Sequence, residues 1–176
     1  GQPDQSPGSA DSVRVRFRLH YPGAGTVNLA GDFNQWCNPS GSCIDTGIDP
    51  MSDIDGDSIW VLEKKLSQDY HEYKFVVDGC QWLSDPLNPD TNPSRDNNSV
   101  LVVTDPLVYY LEPLDGSSTR DFRPRISGSL AHSDSTELDL DHLKVYVDDL
   151  LVAQGPGLYN SSSGEVIYDG IDPLDE

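Results

Sequence analysis

The sequence predicts an all-β sandwich, and three observations carry that prediction. The first is strict alternation in "VRVRFRLHY", where Val13, Val15, Phe17 and Leu19 are set against Arg14, Arg16 and Arg18. A pleated strand sends successive side chains to opposite faces, so this segment reads as a half-buried strand with a solvated row of arginines. The second is punctuation: "GDFN", "DIDGD", "SQD", "DG" and the long "SDPLNPDTNPSRDNN" separate short apolar runs. The third is that no segment sustains an apolar period of 3.6 residues. Short strands with frequent turn signals make a sandwich.

The elements follow in order. "GQPDQSPGSAD" (1–11) has nothing to bury a face with and reads as a flexible linker. Strands are expected at "VRVRFRLHY", "TVNLAG", "DSIWVLEKKL", "HEYKFVVDG" and "NSVLVV", giving a first domain over 12–104. Trp60, in mid-strand, is expected in the core. Asp105-Pro106 marks a boundary, because proline stops the preceding strand. "RPRISGSL", "VYVDDLLV" and "GEVIYDG" then read as strands of a second β domain over 105–176, with Asp148-Asp149 at a hairpin turn. At about 70 residues it is short for an Ig-like sandwich of about 100. The expectation is a truncated domain with a further domain beyond it.

Charge narrows the partners. Lys+Arg 11 against Asp+Glu 30 leaves a net charge of -19. Nucleic acid and anionic membrane are poor partners for such a chain, because the phosphates would be repelled. No apolar run approaches the roughly 18 residues of a membrane span. The Asp-rich, Lys-poor bias suits a secreted, salt-tolerant or calcium-exposed protein, and bears on solubility, not on fold. Among the three cysteines, Cys37 and Cys43 flank the polar loop "CNPSGSC" and are expected to form a disulfide, leaving Cys80 free.

Catalytic chemistry finds no foothold. The four histidines are scattered, no Gly-rich phosphate loop is present, and no carboxylate pair stands out. No catalytic residue and no cofactor are expected. Asp53, Asp55 and Asp57 alternate like the start of a calcium loop. Gly56 inside the run and the lack of a Glu at the twelfth position favour a plain hairpin turn.

Trp36 ends the "GDFNQW" turn, Trp82 follows the "DGCQW" turn, Lys74 lies in "YKF", and Asn97 precedes the last strand of the first domain. These places, where strands meet loops, are the most exposed in a sandwich. Indole faces beside hydrogen-bonding groups suit a pyranose, which has an apolar C–H face and a rim of hydroxyls.

Together, "VNLAGDFNQW", "HEYKFVVDGCQWLSDP" and "DNNSVLVV" resemble carbohydrate-binding module family 48, over roughly Val13 to Thr104. This is the early-set Ig-like domain that binds glycogen in the AMP-activated protein kinase β subunit. It also precedes the barrel in many α-amylase-family enzymes. The resemblance implies that Trp36 and Trp82 stack on glucose while Lys74 and Asn97 hydrogen-bond it. One departure is that "NPSRD" stands where the kinase members carry an inserting leucine. A second is the insertion "CNPSGSC…DIDGD" between Trp36 and Trp60, which lengthens the rim. The expected partners are an α-1,4-glucan and a catalytic barrel outside this chain. The expected setting is extracellular or periplasmic and bacterial. Two rivals remain: a structural Ig-like module that holds no sugar, and a kinase-type glycogen-binding scaffold in a reducing compartment.

Overall fold

The computed structural model describes residues 12–114, 118, 125–147 and 149–170; the linker expected over 1–11, the start of "RPRISGSL" and Asp148 lie outside them. The chain is an antiparallel β-sandwich. One layer pairs β1 (Val13–His20) with β3 (Ile59–Leu66), from Val13↔Leu66 to His20↔Ile59. The opposite layer orders β2 (Val27–Gly31), β4 (Tyr70–Val77), β7 (Asn98–Val102) and β6 (Thr91–Asn92), with β5 (Gln81–Leu83) also paired to β4. The alternation in β1 does what it predicts: Val13, Val15, Phe17 and Leu19 are buried against Leu29, Tyr73, Phe75 and Val77. Phe17 and Tyr73 meet edge to face, with ring centroids 5.0 Å apart. Trp60 packs at the border of this core, half-buried, and donates its indole N–H to the Tyr21 carbonyl.

Beyond Asp105, β8 (Leu107–Glu112), β9 (Arg125–Ala131), β12 (Tyr159–Asn160) and β13 (Glu165–Asp169) form a further sheet in the order β12-β13-β9-β8. Leu107, Tyr109, Tyr110 and Ala131 belong to the same buried cluster as β1 and β4, so apolar packing continues across the Asp105-Pro106 junction. The Tyr109 hydroxyl serves the open edge of β1, accepting from the Arg16 N–H (2.9 Å) and donating to its carbonyl (3.1 Å). The register shifts between Tyr109 and Glu112, and Tyr110 takes φ +53°. This bulge lets two consecutive tyrosines point inward. The hairpin expected at "VYVDDLLV" is present: β10 (Lys144–Val147) pairs with β11 (Leu150–Gln154), and Asp149 takes φ +63° in the turn.

The arginine row of β1 is only partly the solvated face expected: Arg14 is exposed, whereas Arg16 and Arg18 are half-buried. Arg18 donates to Glu165 at 2.9 Å and lies over the Tyr110 ring, while Arg14 faces Glu63 and Asp134. For Arg18 the cause is the later sheet, which brings Glu165 of β13 and Glu112 of β8 against it; Arg14 stays at the surface, near Glu63 of the neighbouring β3 and Asp134.

A buried carboxylate ties the layers together. Asp85 Oδ2 accepts from the Tyr73 and Tyr110 hydroxyls, each at 2.7 Å, and Oδ1 accepts from the Leu87 N–H. Burial outweighs these donors and raises the Asp85 carboxyl above 3.8. A raised acid binds its proton more tightly when folded. That contribution to stability is complete below the unfolded value and is lost as pH rises through the folded one. Asparagine does not titrate. Wild-type stability minus that of Asp85→Asn should therefore fall as pH increases from 3.8, measured by urea unfolding. A difference that grows with pH would contradict the assignment.

Candidate functional site

The site lies on the outer face of β4 and begins at "GDFNQW". A side chain at position 31 would meet the Phe33 ring at 2.5 Å and the Glu72 carbonyl at 2.9 Å, so the turn requires glycine there. Asp32 accepts from the Glu72 N–H (3.0 Å) and faces His71 Nδ1 (3.0 Å). Asn34 accepts from the Gly31 N–H and donates to the Leu29 carbonyl and to Asp49, whose carboxylate also holds Lys64 at 2.7 Å. The polar residues of the motif thus fasten the loop to β2 and β4.

Beyond Asn34 the chain turns left-handed. Gln35, Trp36, Cys37 and Asn38 have φ of 54°, 57°, 56° and 50°. Each such non-glycine residue costs roughly 1–2 kcal/mol, so the segment persists only because its surroundings hold it. The turn sends Cys37 inward, where it is fully buried beside Ala30 and Val76, and lays Trp36 over them. Trp82 arrives from β5, opposite Val76 in the register. Its indole N–H donates to the Ser42 carbonyl at 2.7 Å. The two indoles share one face, half-buried, with centroids 6.3 Å apart and planes inclined by 48°.

Beside them is a cleft of about 370 Å³ lined by Trp36, Lys74, Trp82, Arg95, Asp96 and Asn98. Three of the four residues singled out from the sequence meet there. Asn97 does not line it. It sits exposed at φ +54°, its carbonyl accepting from the Ser84 hydroxyl. Strand parity is the reason: Ser99 is buried opposite Tyr73, so Asn98 falls on the outer face. The alternation Asn98/Ser99/Val100/Leu101 carried that signal. Arg95 and Asp96 carried none, because their position depends on an irregular loop.

Lys74 is also more enclosed than an exposed donor would be. It is buried, and its Nζ donates to the Asp96 carbonyl at 2.6 Å. Glu72, its neighbour on the same face, accepts from Asn92 and Asn98 at 2.8 Å each and from the Tyr70 hydroxyl. Burial pushes the Glu72 carboxyl up, but these donors, with Arg95 nearby, together hold it below its ordinary value.

The expected Cys37–Cys43 disulfide is corrected. The bridge joins Cys43 to Cys80, and Cys37 is the free thiol. The left-handed turn points Cys37 under the loop, while Ile44 bonds to the Gly79 carbonyl and brings Cys43 onto the turn before β5. Asp53, Asp55 and Asp57 form the turn expected of them: Asp53 accepts from the Gly56 and Ser58 N–H groups, and Asp57 from that of Ile59. Their carboxylates also come within 4.8 Å of one another.

Burial, then the charge of Asp49, raises the Cys37 thiol to about 11. The folded protein should therefore resist iodoacetamide at pH 8, and unfolding without reductant should add one label, at Cys37. Two further labels without reductant would overturn the bridge. Closing a 37-residue separation contributes about 4 kcal/mol in the chain-entropy model, so Cys43→Ser should cost roughly 2–4 kcal/mol. Comparison of the chain with protein-family models and with curated proteins finds no match.

Proposed function

We propose that the chain is a non-catalytic α-glucan-binding region, akin to carbohydrate-binding module family 48, that serves an α-amylase-family enzyme. The observation that carries this reading is the pair of half-exposed indoles, Trp36 and Trp82, inclined by 48° on one face above a cleft. A pyranose stacked on one indole removes on the order of 80 Å² of apolar surface, about 2 kcal/mol. Successive rings of a curved glucan present their faces at an angle, so inclined platforms favour it over a flat chain. With a few hydrogen bonds and the cost of association, the dissociation constant falls in roughly the micromolar to millimolar range.

The disulfide and the acidic charge support an oxidising, extracellular or periplasmic setting. Among the described residues, no helix is long and apolar enough to cross a membrane. A second reading, a purely structural module, draws on the Trp82 N–H already being spent on the Ser42 carbonyl. Titration separates the two. Wild type should bind maltoheptaose or β-cyclodextrin in calorimetry, and Trp36→Ala or Trp82→Ala should abolish binding while the β-sheet circular dichroism is kept. Absence of binding at millimolar sugar would favour the structural module.

A further inference from the structure

Resting on the reading of the cleft as a sugar site, we propose that Arg95 and Asp96 together determine its specificity by gripping adjacent hydroxyls of the stacked ring. The case begins with where the cations are. Lys74 has a side chain only 9% exposed, donates to the Asp96 carbonyl at 2.6 Å and lies 3.8 Å from its carboxylate. Its charge is used to shape the loop. The cation open to the cleft is Arg95, 71% exposed, whose contact with Glu72 is 3.9 Å, beyond hydrogen-bonding distance. Glu72 already accepts from Asn92, Asn98 and Tyr70, and Arg95 acts on it through charge across 3.9 Å rather than through a hydrogen bond.

Arg95 only donates and the Asp96 carboxylate only accepts. Each sugar hydroxyl does both. An adjacent donor–acceptor pair can therefore serve neighbouring hydroxyls together: Arg95 donates a hydrogen bond to one oxygen, and the Asp96 carboxylate accepts one from the other hydroxyl. Bonds with one charged member are the stronger kind. The loop presents the pair in a set position. Pro93–Arg95 form a single tight turn, Asn92 caps it through the Ser94 N–H, Asp96 takes φ +56°, and Lys74 holds its carbonyl.

The test is calorimetry with β-cyclodextrin and with β-cyclodextrin methylated at O2 and O3. Wild type should bind the unmodified ring about tenfold more tightly, one charged hydrogen bond or more being lost on methylation. Arg95→Ala and Asp96→Asn should each bind it about tenfold more weakly than wild type, with an unchanged melting temperature and little remaining discrimination between the rings. Asparagine tolerates the left-handed backbone at 96, which keeps the loop intact. Wild-type affinity and discrimination in both variants would overturn the assignment of Arg95 and Asp96 and leave the sugar site standing. Failure of wild type itself to bind would remove the sugar site.

Discussion

β4 is covered on both of its faces, and the rest of the structure depends on that. Tyr73, Phe75 and Val77 fill the sandwich core, while Glu72, Lys74 and Val76 are buried on the other side although they point away from it. A carboxylate and an ammonium enclosed in this way need partners, because an unpaired buried charge is costly. Asn92, Asn98 and Tyr70 supply them for Glu72, and the Asp96 carbonyl for Lys74. Two of these residues, Asn98 and Asp96, also line the cleft.

Two left-handed segments frame the platform. Residues 35–38 carry Trp36, and Asp96, with Asn97 behind it, brings the second segment to the cleft. Conformations that L-residues avoid persist only where tertiary contacts over-determine them. Asn34, buried Cys37 and the Asp49–Lys64 pair do this on one side, and Lys74 on the other. The disulfide adds a third restraint, joining the loop that bears Ser42 to the turn that leads to Trp82.

Much of the fold was legible because period-two alternation is a local property. β1, β3, β4 and β7 stand where their apolar patterns place them, and the hairpin at 144–154 follows its turn residues. Trp36 and Trp82 were legible as tryptophans beside turns; Lys74, in the middle of β4, was legible only through the "YKF" motif of the resemblance. Asn98 could have been found from strand parity. The Cys43–Cys80 bridge could not, because three cysteines allow three pairings and proximity in sequence favours the wrong one. The inward turn of Tyr110 was equally hidden, since a bulge reverses the facing that simple alternation predicts.

The sequence by itself determined the all-β class, the longer strands of the first sheets, the acidic composition and the presence of tryptophans at turns. Pleating, turn chemistry and net charge are read from neighbouring residues. Only the tertiary structure decided which cysteines meet, that the sheet after Asp105 shares the first core, that the indoles lie on one face at 48°, and that Arg95 rather than Lys74 is the open cation. Those outcomes join residues tens of positions apart. They follow from which loops pack against the outer face of β4 and which strands close the core on its inner side, and local pattern carries no record of that.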